Sequence, residues 1–125
     1  MSAFKVEKLF VVTLWAPDIP ESLHFYREVL GLEWLPHHEG QPAFVVGDGI
    51  HLTLRKGKPV PAENALPFPV IAFQVADLDQ ALQHLKANGV KMAGDIVTKS
   101  GVRYCTFYDP AGNLIEIAEV SSEPH

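Results

Sequence analysis

Two stretches of the chain, Val11-Val12-Thr13-Leu14-Trp15-Ala16 and Val70-Ile71-Ala72-Phe73-Gln74-Val75, are rich in strand-forming residues and carry no helical period. They predict strands over 9–16 and 70–76. A helical pattern follows each of them. Asp18 with Glu21, and Asp77 with Gln80, have the spacing of an N-cap and its third-residue partner. Behind those caps, Ile19, Leu23, Tyr26 and Leu30 share one helical face, as do Leu78, Ala81, Leu82 and Leu85. Gly31 and Asn88-Gly89 supply helix ends that tolerate positive φ. Shorter strands are then expected near 32–36, 42–47 and 49–55, and again near 91–96, 103–108 and 113–119. Asp109-Pro110-Ala111-Gly112 has the residues of a type I turn and predicts a hairpin between the last two. Val46-Gly47-Asp48-Gly49 does the same in the first half.

The order β-α-β-β-β therefore occurs twice. Val11 to Ile19 aligns with Val70 to Leu78, and Gly47 to Leu52 aligns with Gly112 to Ile117. Identities are few, so the repeat rests on pattern. Module one is expected at about 8–55 and module two at about 70–120, within a single domain over 1–125. The segment 56–69, KGKPVPAENALPFP, is proline-rich and reads as a semi-rigid connector. A chain of 125 residues has the usual size of one globular domain, but each half alone is marginal. The halves must share a core or lean on a partner subunit.

Composition narrows the class. Hydrophobic residues at 47% and charged residues at 20% exclude disorder and a collagen-like repeat. No apolar run approaches the roughly 18–20 residues that span a bilayer. A net charge of −5 argues against nucleic acid as a partner, since phosphate binding needs a basic surface. The opening MSAFKVEKLF lacks the order of a secretory signal, and the one cysteine, Cys105, cannot form an internal disulfide. A cytoplasmic location is the expectation.

Two motifs then identify a family. Asp18 to Gly31, DIPESLHFYREVLG, and Asp109 to Glu116, DPAGNLIE, resemble the D-x-x-x-S-x-x-F-Y-x-x-x-L-G and D-P-x-G-N-x-x-E patterns of the vicinal oxygen chelate superfamily. That group includes glyoxalase I, extradiol dioxygenases, and fosfomycin- and bleomycin-resistance proteins. The resemblance covers about 8–120. It implies an α+β fold of two tandem βαβββ modules, with curled mixed sheets around a pocket and helices on the outer face. It also implies a divalent metal and, in many relatives, a two-fold homodimer.

Strand parity locates the candidate chemistry. In Ile50-His51-Leu52-Thr53-Leu54 the aliphatic residues occupy one face, and His51 and Thr53 the other. In Ile115-Glu116-Ile117-Ala118, Glu116 falls on the face opposite the isoleucines. His51 and Glu116 are thus expected on the inner side as candidate catalytic groups or metal ligands. If they met in one pocket they could work as an acid/base pair. The resemblance puts ligands at Val11, His51, Val70 and Glu116. Only two of these carry ligand chemistry, whereas tight binding of zinc, nickel, iron or manganese takes three or more protein donors. His37 and His38 could supply a nitrogen, but solvated loop histidines are the simpler reading. No cofactor is expected beyond one such metal, and its ligand set is incomplete.

Thr13, Trp15, Phe44, Gln74, Arg103 and Phe107 are the expected ligand-binding residues, with Trp15 either a stacking wall or a plain core or interface tryptophan, and Arg103 either a clamp for an anionic group or a solvated strand-end arginine. The sequence thus predicts a small-molecule-binding protein of the glyoxalase/bleomycin-resistance type. The competing expectation is a metal-dependent lyase or dioxygenase using His51 and Glu116. Which ligand or substrate is bound does not follow from these residues.

Overall fold

Apolar residues on every second position give β1 (Val11–Ala16) a face of Val12, Leu14 and Ala16, and the last two of these are buried. In the computed structural model, which describes residues 4–35, 42–47, 49–59, 69 and 71–120, that face is covered by helix α1 (Ile19–His24). Asp18 caps the helix, its Oδ1 accepting from the Glu21 N–H at 3.1 Å. After His24 the hydrogen bonding widens into a π-helical turn over Phe25–Val29, closed by Leu30 N–H donating to Phe25 O at 3.0 Å. Ser22, Phe25 and Tyr26 are the residues it buries, so the inward stripe is centred there, while Ile19, Leu23 and Leu30 stay half-buried. The Phe25 and Tyr26 rings meet edge to face at 5.2 Å.

Strands β2 (Glu33–Trp34), β3 (Ala43–Val46) and β4 (Ile50–Lys56) complete the first unit, Met1–Gly57. The sheet order is β1-β4-β3-β2, with β1 parallel to β4 and the other pairs antiparallel. Phe44, Leu52 and Leu54 lie on the helix side and are buried with Tyr26, whose ring centroid is 6.1 Å from that of Phe44.

The second unit, Lys58–His125, repeats the plan. It contains β5 (Ile71–Gln74), α2 (Leu78–Ala87), β6 (Val97–Lys99), β7 (Val102–Tyr108) and β8 (Leu114–Val120). The order is β5-β8-β7-β6, with β5 parallel to β8. Asp77 caps α2 through the Gln80 N–H at 3.0 Å, and Gly89, at φ 72°, ends it. Leu78, Leu85, Cys105, Phe107, Ile115 and Ile117 form the buried side. Each sheet ends in edge strands among the described residues and does not close on itself. The architecture is the expected α+β pair of βαβββ modules. No helix among the described residues is long and apolar enough to cross a membrane.

One strand is displaced from its expected place. Residues 91–93 touch β7 through Tyr108 N–H to Lys91 O at 2.9 Å and Ala93 N–H to Thr106 O at 2.8 Å. Gly94 and Asp95, poor strand residues, then interrupt the ladder, and pairing resumes only at Val97. A two-residue turn, Ser100-Gly101, with φ of 52° and 80°, joins β6 to β7. His37, His38, Asp48, Val70 and most of the proline-rich connector lie outside the described residues.

The DPAGN turn shows why those residues belong together. Asp109 is 4% exposed, and its Oδ1 accepts from the N–H groups of Ala111 at 3.0 Å and Asn113 at 2.8 Å. Its Oδ2 accepts from Asn113 Nδ2 at 3.0 Å. One carboxylate thus satisfies three donors inside a hairpin, and Gly112 takes φ 91° to close it.

Candidate functional site

In module one, the sheet face opposite the helix carries the polar positions. The β1–β4 register sets Val11 beside His51, Thr13 beside Thr53 and Trp15 beside Arg55. On the other flank of β4, Val45 pairs with His51 and Ala43 with Thr53. The Thr13 and Thr53 hydroxyls lie 2.8 Å apart in a hydrogen bond, with Thr53 itself buried. The His51 ring is half-buried and lies 5.6 Å from the Phe10 ring, while its backbone N–H donates to Phe10 O at 3.0 Å. Trp15 remains 44% exposed at the end of the strand. This arrangement offers a neutral hydroxyl pair, an imidazole and an indole on one surface.

In module two, Glu116 lies at the centre of β8, with Ala72 beside it on β5 and Thr106 beside it on β7. Gln74 and Tyr104 both pair with Ala118, one position pair further along the same face. Lys91 Nζ sits 5.4 Å from the Tyr108 ring centroid. Cys105 lies on the other face, where burial raises its thiol pKa; a nearby Lys86 opposes that shift and Glu116 adds to it. Burial thus disfavours the thiolate at Cys105.

Thr13, Trp15 and His51 thus share the face of module one opposite its helix, and Gln74 and Glu116 the equivalent face of module two. Three other expected ligand-binding residues lie elsewhere. Phe44 and Phe107 are 0% exposed on the helix-covered sides, because strand pairing puts them level with Leu52 and Ile115. Arg103 is on the helix side too. Its guanidinium grips Asp79 with two hydrogen bonds, at 3.1 and 3.2 Å, and reaches Glu119 at 3.3 Å. Glu119 Oε1 in turn accepts from the Leu78 N–H at 3.0 Å, at the first turn of α2. Arg103 thereby fixes the helix to the sheet and has its donors engaged.

This ion pair predicts a pH effect. Hydrogen bonding and charge from Arg103 hold the Asp79 carboxyl below its ordinary value of 3.8. A depressed carboxyl stabilises the fold above its unfolded pKa and loses that contribution as pH falls through the folded one. Arg103→Met should be less stable than the parent at neutral pH, with the gap narrowing below pH 3.8. Urea titrations across that range check it. A gap that stayed constant would show that Asp79 gains nothing from Arg103.

A divalent metal asks more of these faces than they give. Among the described residues no three His, Cys, Asp or Glu side chains gather as a ligand set. The strand neighbours of His51 and Glu116, namely Val11 and Ala72, have no lone pair to donate. The donor chemistry does not fit a tight site built on these strands. Sequence reasoning missed Thr106 and Ala72 as the neighbours of Glu116, since cross-strand partners are not encoded locally. It also missed Phe10 beside His51 and Gly57 beside Trp15.

A profile of the Glyoxalase/Bleomycin resistance protein/Dioxygenase superfamily matches residues 8–117. Among solved structures, the chain is similar to a glyoxalase/dioxygenase from Nostoc punctiforme at 25% identity, covering 98% of this chain and 97% of that one, with a TM-score of 0.81. An integron cassette protein from V. cholerae is 26% identical over 96% of this chain and 100% of that one, with a TM-score of 0.75. A fosfomycin resistance protein from Listeria monocytogenes shares the fold, at 21% identity over 94% and 97% of the two chains and a TM-score of 0.75. The matched span takes in both modules and both of the motifs read from the sequence, and the chain belongs to the Glyoxalase/Bleomycin resistance protein/Dioxygenase superfamily, of the vicinal oxygen chelate fold.

Proposed function

We propose that this protein binds a small aromatic or amphipathic molecule on the open sheet faces, using neutral hydrogen-bonding groups and aromatic surface in place of a bound metal. One observation carries this reading. On the parallel neighbouring strand the residues in register with His51 and Glu116 are Val11 and Ala72, so each candidate ligand has an aliphatic side chain on that flank. What shares a face with each suits an organic ligand: the Thr13–Thr53 hydroxyl pair and Trp15 with His51 in module one, and Gln74 and Tyr104 with Glu116 in module two. A fosfomycin resistance protein is among the solved structures that share this fold. His51 and Glu116 then each serve as a hydrogen-bonding group on the face of its own module.

The alternative keeps the same two residues as ligands of a metal-dependent lyase or dioxygenase, since imidazole and carboxylate both have suitable donors. The reading also includes a reducing, cytoplasmic setting, in keeping with the buried free Cys105, and a two-fold homodimer. Leu9, Phe10, Val97 and Val120 are exposed apolar side chains of the kind an interface covers.

Equilibrium dialysis with 2-naphthol tests the proposal. Saturable binding should persist unchanged in EDTA, and His51→Ala or Thr53→Val should weaken it roughly 2–10-fold, the worth of one hydrogen bond. Binding that EDTA abolishes would overturn it.

A further inference from the structure

We propose that Gly57 is a positioning residue for the binding face of module one: its missing side chain lets the Trp15 indole rest against the backbone, as a preset wall for a planar aromatic ligand. The inference rests on the small-molecule reading above and names its ligand class.

Most of the described glycines are accounted for by their backbone conformation. Gly31, Gly47, Gly49, Gly89 and Gly112 have positive φ and open space where a Cβ would stand. Backbone conformation explains them. Gly57 has no positive φ, and any L-residue could adopt its backbone. What excludes a side chain there is Trp15. A Cβ on Gly57 would lie 2.9 Å from Trp15 Cζ3 and 3.3 Å from Cδ2, and nearer still to Cε3. All three atoms belong to the benzenoid ring, so the indole occupies the space of the absent methyl.

Both partners are fixed. Trp15 is on β1, and Gly57 directly follows β4 with its N–H donating to Ala16 O at 3.2 Å. The ring is held on one side by backbone, yet the side chain stays 44% exposed. A restrained aromatic surface loses little conformational entropy when a ligand stacks on it. A flat ring gains most from such a wall, through offset stacking that a saturated ring of equal size cannot make.

The experiment compares 2-naphthol with decahydro-2-naphthol by equilibrium dialysis, in the parent, Gly57→Ala, Trp15→Ala and the double variant. The parent should prefer 2-naphthol. Gly57→Ala should weaken 2-naphthol about 3–10-fold and leave the saturated probe unchanged, so selectivity falls. In the Trp15→Ala background Gly57→Ala should have no further effect. An equal loss for both probes, or a loss that persists without Trp15, would assign Gly57 to the local fold alone and overturn the inference. If the parent binds both probes equally, the small-molecule reading stands and this inference falls; if it binds neither, both fall. Should Gly57→Ala fail to fold, Trp15→Phe/Gly57→Ala carries the test, because phenylalanine has a single ring and lacks the second, fused ring of the indole that meets the new methyl. That variant should fold and keep its preference for the flat probe, and loss of the preference would overturn the inference.

Discussion

Phe44→Ala should lower the stability of the protein by about 3–5 kcal/mol, the usual effect of truncating a fully buried phenylalanine. Its ring is 0% exposed, level with Leu52 across β3 and β4, and 6.1 Å from the Tyr26 ring. Removing it leaves a cavity between the sheet and the π-helical turn, which the surrounding strands can only partly fill. Since domains are stable by about 5–15 kcal/mol in total, the loss is a large share. Phe107→Ala, equally buried beside Ile115, should behave alike. Urea unfolding followed by circular dichroism gives the change in midpoint. Folded protein should still bind 2-naphthol as the parent does. A variant that kept its stability and lost binding would place Phe44 on the ligand side and invert the assignment of faces.

The second large effect is expected at the β7–β8 hairpin. Asp109→Ala removes an acceptor of three hydrogen bonds, one of them from the buried Asn113 side chain. Hydrogen bonds to a charged acceptor contribute more than neutral ones, and three are lost together. A loss of about 2–4 kcal/mol follows, again read from urea midpoints. Asp109→Asn keeps the shape but sets one amide donor against another at Asn113 Nδ2, so it should fall between parent and alanine variant. An alanine variant as stable as the parent would mean that the backbone turn alone holds the hairpin. The motif that identifies the family is, in this chain, a structural clasp.

Much of this was legible along the chain. Alternation in Ile50–Leu54 and Ile115–Ala118 places His51 and Glu116 on the faces away from the helices, and the caps at Asp18 and Asp77 mark both helix starts. These are local signals, carried by neighbours a few residues apart. The departures are mostly non-local. Phe44 and Phe107 were assigned to a pocket because aromatic residues suit one, but register with Leu52 and Ile115 decides their side. Arg103 finds Asp79 across the fold, on a helix start 24 residues away. Ungapped alignment of the modules sets Val70 as the counterpart of Val11, whereas strand pairing puts Ala72 beside Glu116. The strand expected at 91–96 was drawn through Gly94 and Asp95, and the chain pairs instead at Val97–Lys99. Gly57 reads as part of a basic turn until the indole of Trp15 is found against it.

The central claim is that His51 and Glu116 act without a bound metal. Metal content of protein made without an affinity tag, in medium supplied with zinc, nickel, iron and manganese, tests it most directly. Inductively coupled plasma mass spectrometry on the parent and on His51→Ala should find both far below one metal ion per two chains, with no difference between them. A stoichiometric metal in the parent that disappears in His51→Ala would contradict the account and establish the lyase or dioxygenase reading in its place.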